Sequence, residues 1–292
     1  MHGGLFAAAV VTTAAAGLIA AGADPFGPSE WTASAVGQAA MYAVALIGIV
    51  GFHEAGHYFA ARRRGVEVSL PYFLPGVGPI PGMGVIPFFG TFGAVIKMAL
   101  QKVRSTDLLA VAGWGPVAGF LATLPVVFIG VALSEPMRLP EDAELLLLGD
   151  PLLIQAATAL FHPGMEEGWE LMLHPLGLAG WVGCLLTALN LLPIGQLDGG
   201  HLVYGVAGES SDKVVLVAFG VLVLLGLLFF TGWLLLAALI FWMGVKHPPM
   251  LSDEPARGRR AWMAWVCGGI FILTFTPAPV MMDALPQWLG IW

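Results

Sequence analysis

The run Gly51-Phe52-His53-Glu54-Ala55-Gly56-His57 lies inside Val36–Ala61, an apolar stretch that ends at Arg62, Arg63 and Arg64. A helix crosses the bilayer hydrocarbon with about 20 apolar residues. The stretch therefore reads as a membrane span, and the arginines mark where it meets a surface. His53 precedes Arg62 by nine residues, which puts it about 14 Å below that surface at ~1.5 Å per residue. Two histidines and a carboxylate at such depth are costly unless they are paired or functional. The alternative is two core histidines and a glutamate satisfied by neighbouring helices.

The rest of the chain supports a membrane fold. Of 292 residues, 58% are hydrophobic and 11% charged, with a mean hydropathy of +0.85. Average soluble domains carry about 25% charged residues, so this chain lacks the polar shell of a soluble globe. Basic residues number 12 against 19 acidic ones and the pI is about 5.4, which excludes a nucleic-acid-binding surface. The apolar content excludes intrinsic disorder. Cys184 and Cys267 both lie in apolar runs and read as packed, reduced thiols.

Seven spans follow from the apolar runs: Leu5–Gly22, Val36–Ala61, Leu108–Leu133, Leu176–Ala207, two from Val214–Val245 turning at Thr231-Gly232, and Ala261–Thr276. The first lacks the positive flank of a signal peptide and reads as a retained span. With the second span ending inside at its arginines, eleven of the twelve basic residues fall on the cytoplasmic side, leaving only Arg138 outside. The N-terminus is then cytoplasmic and the C-terminus external. Ser134–Leu173 reads as an acidic outer loop with a surface-lying helix at Leu152–Phe161. Val66–Lys97 is apolar, rich in glycine and proline, and holds β-formers. It suits hairpins that dip into the membrane against protein. The expected fold is an all-α polytopic membrane protein of about six to seven transmembrane helices with a small membrane-reentrant β-hairpin region. Its organisation is an N-terminal helix and external loop (1–34), a catalytic membrane core (35–210) and C-terminal helices (211–292).

On a helix, His53 and His57 project from one face, a turn apart. That spacing lets both imidazoles bind one zinc ion, with Glu54 beside them. Two histidines and one carboxylate leave a fourth position for water. Glu54 is then placed to take the water's proton and pass it to a leaving amine. The remaining deep acid is Asp198, in Asn190-Leu191-Leu192-Pro193-Ile194-Gly195-Gln196-Leu197-Asp198-Gly199-Gly200-His201. Pro193 and Gly195 break the fourth span there, and an unwound helix at depth must line a cavity or a site. The alternative is a turn acid before two flexible glycines.

These motifs, with Gly115-Pro116-Val117-Ala118-Gly119 in the third span, resemble the site-2 protease family of intramembrane zinc metalloproteases. The likeness covers the second to fourth spans, about half the chain, in order and orientation. It implies that His53, His57 and Asp198 bind one zinc ion per chain, that Glu54 is the general base and acid, and that Asn190 holds the substrate or the tetrahedral intermediate. Gly115 and Gly119 form a small-residue face that reads as structural, for close helix packing. Relatives often carry PDZ or CBS domains, for which this chain leaves no room; compact prokaryotic members are nearest, which implies a prokaryotic cell membrane. The implied substrates are transmembrane proteins, such as membrane-anchored regulators or signal-peptide remnants, met within the lipid bilayer; no nucleic acid is involved. A locally unwound substrate would add to a strand edge at Gly90, Thr91, Phe92 and Gly93.

Two rivals remain in view. In one, another metalloprotease class, a later glutamate is the third ligand, but Glu166, Glu167 and Glu170 fall on the outer side. The other is a metal- or ion-handling transporter built on the broken helix. His162 and His174 read as solvated or interfacial. His201 either supports the metal site or packs.

Overall fold

A computed structural model describes residues 2–76, 89–98, 103–138, 147–165, 168–245, 255–256 and 258–281. Among the described residues, nine α-helices and six short strands follow one another in the order α1 (His2–Ala20), α2 (Ala33–Arg63), β1 (Tyr72–Pro75), β2 (Thr91–Val95), α3 (Ser105–Ala132), β3 (Glu135–Arg138), β4 (Leu147–Leu148), α4 (Leu152–Phe161), β5 (Trp169–Met172), α5 (Pro175–Asn190), α6 (Asp198–Ala207), α7 (Ser211–Leu228), α8 (Gly232–Met243), α9 (Trp262–Thr274) and β6 (Val280–Met281). The chain is a polytopic membrane protein. Helices α1, α2, α3 and α7 are long and apolar enough to cross a bilayer.

The fourth apolar run divides as expected into α5 and α6 around a break at 191–197. The two C-terminal runs hold shorter helices than the sequence implies: α8 has 12 residues and α9 has 13. The brevity of α8 has a visible cause. Gly244 ends it with φ +106°, and Val245 beyond accepts a hydrogen bond from the Gly195 N–H at 2.9 Å. The chain leaving the helix thus docks on the break of the fourth run.

Small residues set the helix spacing. Glycines meet backbone where α1 crosses α2 (Gly17 against Ala39), where α2 crosses α3 (Gly56 against Trp114) and where α3 crosses α5 (Gly130 against Gly177). With no hydrophobic drive between helices in lipid, such close approach maximises dispersion contact. Between these seams lies a core of Tyr42, Leu46, Val127, Val131, Ile154, Trp181 and Val182.

Strands β1 and β2 pair antiparallel, Tyr72 opposite Val95 and Phe73 opposite Ala94. This hairpin is reentrant. Phe73 packs on Gly51, twelve residues before the end of α2 and so about 18 Å back along the helix. The middle of the expected β region, 77–88, lies outside the described residues.

The segment after α3 corrects the expectation of a solvated loop. β3 and β5 pair antiparallel, and α4 buries Leu153, Ile154 and Ala157 in the main core. Its apolar residues recur at helical spacing, and the bundle end offers an apolar seat for that face. Glu141, Asp142, Glu144, Glu166 and Glu167 lie outside the described residues. His162 and His174 are neither ligands nor merely solvated. His162 Nε2–H donates to the Val131 carbonyl at 2.8 Å, and His174 Nδ1 accepts the Leu176 N–H at 3.1 Å. His174 serves a first-turn N–H of α5 that has no partner in the helix, and His162 adds to the Ser134 N–H at the Val131 carbonyl near the end of α3.

Asp150, just before α4, is pushed up to about 6 by burial, with the Glu170 charge adding to the effect. A raised folded-state pKa contributes stability below the ordinary Asp value, near 4, and that contribution is lost as pH rises through about 6. Asp150→Asn should therefore raise the melting temperature at pH 7.5, by a margin worth at most about 3 kcal/mol. The gap should close near pH 4. Thermal unfolding at both pH values measures this; a gap independent of pH would contradict it.

The basic residues sort by end. Arg64 pairs with Asp107 at the start of α3, and Ser69 bonds Lys97 through both backbone and hydroxyl. Gly205 of α6 packs against Ser105, which brings Lys213 of α7 to the same end. Arg138, in β3, follows the opposite end of α3. Lys102, Lys246 and Arg257 lie outside the described residues.

Candidate metal centre

Three elements converge about halfway along the bundle. Helix α2 supplies His53, Glu54 and His57. Asp198 is the first residue of α6, immediately after the break. Asn190 closes α5. From either direction the depth agrees: Asp198 stands nine residues from the end of α6 and His53 ten from the end of α2, about 14 and 15 Å.

The ligand atoms meet at one point. His53 Nε2 and His57 Nε2 are 3.0 Å apart, and Asp198 Oδ2 lies 3.2 Å from each. His57 Nδ1–H donates to the Val111 carbonyl of α3 at 2.7 Å. In a neutral imidazole this leaves the lone pair on Nε2. Lone pairs and a carboxylate oxygen that face one another at this distance need a positive charge between them, a proton or a metal ion. Ligands about 2.0–2.1 Å from one tetrahedral zinc ion stand ~3.3 Å apart, and these three fit that set. A second observation agrees. Glu54 is 4% exposed, and its Oε2 has no hydrogen-bond partner among the described residues. A buried carboxylate left that way needs a polar visitor.

The centre is walled by α3, through residues the sequence reading assigned to helix packing alone. A Cβ on Gly115 would lie 2.1–2.4 Å from three ring atoms of His57, and one on Gly119 would lie 3.1 Å from His53 Cβ and Nδ1. The two glycines, four apart, face two histidines four apart on the antiparallel helix. The spacing was in the sequence; the register that joins the two sets was not. The Val111 carbonyl left no signal, since every residue carries one.

Asn190 Nδ2 lies 3.5 Å from His53 Nε2, so its amide reaches the rim of the cluster. His201 is buried in α6, three residues beyond Asp198. Of the four strand-edge residues, three are committed to the fold. The Gly90 carbonyl accepts the hydroxyls of Thr12 and Thr13 of α1, at 2.6 and 3.3 Å. Thr91 is buried, with its hydroxyl donated to the Leu74 carbonyl. Gly93 donates its N–H to the Thr91 hydroxyl oxygen at 3.0 Å, and its carbonyl lies 3.2 Å from the same oxygen; the open part of the edge is Phe92, 65% exposed.

Comparison with known proteins places this geometry. The model of peptidase family M50 matches residues 41–231, which contain every residue of the cluster. "Probable zinc metalloprotease EGY1, chloroplastic" of Arabidopsis thaliana is 31% identical over 260 residues, 85% of this chain and 44% of that protein. "Probable zinc metalloprotease EGY2, chloroplastic" of Oryza sativa subsp. indica is 31% identical over 182 residues, 62% of this chain and 32% of that protein. The chain thus spans less than half the length of these relatives. No solved structure matches it.

Proposed function

The chain belongs to peptidase family M50, the family of the site-2 proteases, and from that premise we propose that it is an intramembrane zinc metalloprotease. It hydrolyses peptide bonds within or near transmembrane segments of membrane-anchored proteins, such as regulators or signal-peptide remnants. The observation that carries this reading is the convergence of His53, His57 and Asp198 on one point, beside a buried carboxylate with a free oxygen.

When bound, one zinc ion per chain polarises the scissile carbonyl and acidifies water toward a pKa of about 7. His53 and His57 would hold it through Nε2 and Asp198 through Oδ2, and the negative charge of Asp198 would offset part of the ion's charge in the low-dielectric interior. Glu54 Oε2 takes a proton from the attacking water and delivers it to the nitrogen of the leaving half, so the C–N bond breaks with a neutral amine departing. Asn190 donates an amide N–H to the carbonyl oxygen as it gains charge. His201 supports the turn that carries Asp198.

A peptide bond in a helix is shielded by its own turns, so the substrate enters extended and pairs along β2 at Phe92. The basic end faces the cytoplasm of a prokaryotic cell, with the N-terminus on that side. The support is the gathering of Arg62, Arg63, Arg64, Lys97, Arg104 and Lys213 at one end.

A transmembrane peptide reconstituted with the protein in vesicles should be cut, with cleavage lost to chelator and restored by zinc. Asp198→Ala removes a ligand, so its zinc affinity should fall by more than about 100-fold, beyond the loss typical of an outer partner. Zinc uptake without cleavage would overturn the protease reading in favour of transport. Unchanged zinc affinity in Asp198→Ala would overturn the ligand set.

A further inference from the structure

Helix α1 lies outside the residues 41–231 that match the family, yet it meets the reentrant hairpin at three levels. At its start, His2 Nδ1–H donates to the Pro71 carbonyl at 3.1 Å, and its ring lies against Tyr72 with centroids 4.0 Å apart. One turn on, Phe6 meets Phe73 of β1 edge to face at 5.1 Å. Two turns further, Thr12 and Thr13 reach Gly90, the residue before β2. His2, Phe6 and Thr13 fall at i, i+4 and i+11, a single stripe of the helix.

The two hydroxyls serve different partners, because each has one proton to give. Thr13 lies 2.6 Å from the Ala9 carbonyl and 3.3 Å from that of Gly90, so it serves mainly its own helix. Thr12 lies 2.6 Å from the Gly90 carbonyl and 3.0 and 3.1 Å from those of Ala8 and Ala9, so its proton goes to the hairpin. The Gly90 carbonyl also accepts the Gly76 N–H at 2.9 Å, a rung between the two sides of the hairpin. Both lone pairs of that oxygen are thus used, one within the hairpin and one by α1. Gly90 has φ +83°, and a Cβ there would fall on the Thr13 backbone. The glycine is what lets the chain come this close.

We propose that Thr12 is a positioning residue for the substrate, acting through the Gly90 carbonyl. It fixes the start of β2 against α1, so that the open edge at Phe92 is presented in one place. An isolated two-stranded hairpin is marginally stable at best, so this one takes its position from the helices it is bonded to. An edge already in place leaves only the incoming chain to be ordered on binding, whereas a loose edge adds its own ordering cost. Helix α1 contributes no ligand and no proton to the reaction; its part is to hold the strand. The proposal rests on the reading that substrate pairs along β2.

The test is steady-state cleavage of a transmembrane peptide by the full chain in vesicles, with zinc affinity measured on the same preparations. Thr12→Val keeps the shape of the side chain and removes the donor. It should raise KM about three- to tenfold, the worth of one hydrogen bond, and leave kcat and zinc affinity as in the wild type. Thr12→Ser restores the donor and should return KM to the wild-type value. Thr274→Val makes the same change in a hydroxyl that donates back to its own helix α9 and should leave KM alone. An unchanged KM in Thr12→Val, a rise that Thr12→Ser does not reverse, or an equal rise in Thr274→Val would overturn the proposal. So would a loss of zinc affinity in Thr12→Val, which would mark a general fault of packing. Should Thr12→Val not fold, Thr12→Ala decides by the same KM criterion. The readings underneath fail differently. A wild type that does not cut the peptide removes the protease reading, and a Phe92→Ala variant with wild-type KM removes the strand reading. In both cases the proposal falls with them. A raised KM in Phe92→Ala beside an unchanged one in Thr12→Val strikes the proposal alone.

Discussion

Glu54→Gln should keep one zinc ion per chain and lose turnover by about 10²- to 10⁴-fold, the usual contribution of a general acid–base group. The amide has the size and shape of the carboxylate, so the buried site around it should stay packed. None of the three converging ligand atoms belongs to Glu54, so metal retention should be untouched. What the amide cannot do is accept a proton from water and return it to the leaving nitrogen. Metal content by elemental analysis and cleavage of a transmembrane peptide, measured on one preparation, separate the two properties. A variant that loses zinc would make Glu54 a ligand, and a variant with full activity would remove it from the chemistry.

The second large effect is expected at Gly115→Ala, where one methyl group should strip the zinc. Its Cβ would fall 2.1–2.4 Å from the His57 ring, well inside contact distance. The ring has nowhere to retreat, because its Nδ1 is held by Val111 on the same helix. Helix α3 cannot draw back either without opening the seam where Gly56 meets the Trp114 carbonyl. Overpacking of this kind costs about 1–3 kcal/mol, and it is relieved by breaking the Val111 bond and turning the imidazole away from its ligand position. Zinc affinity should fall by about 100-fold, at the upper end for loss of a ligand's supporting contacts. Gly119→Ala is the built-in comparison. Its closest approach to His53 is 3.1 Å, which a small shift can relieve, so its loss should be several-fold smaller. Equal affinities for the two variants would refute the idea that α3 shapes the centre residue by residue.

Much of the site was legible in the sequence because its chemistry is local. His53 and His57 are four apart on one helix, and Asp198 follows a Pro-Gly break that has no other reason to sit in an apolar run. The rest required register. Nothing in the linear order says that Gly115 faces His57, or that Val111 offers its carbonyl to an imidazole 54 residues away. The end of α8 was marked in the sequence by Gly244 and by Lys246-His247-Pro248-Pro249; what the linear order did not show is that Val245 docks on Gly195. The closed part of the strand edge did have a signal. Thr12 and Thr13 are the only hydroxyl-bearing residues in an Ala-rich first helix, and their partner is the backbone of Gly90.

The short helices also shape the surrounding lipid. A flank built from α8 and α9, about 18–20 Å long at ~1.5 Å per residue, meets a hydrocarbon layer of about 30 Å. Beside the 31-residue α2 no such shortfall exists. Among the described residues the helical apolar length is therefore uneven around the bundle, and acyl chains beside α8 and α9 would have to tilt or compress to match it. That local thinning lowers the water interface toward the depth of the buried carboxylates, so the bilayer itself shortens the route by which water reaches them.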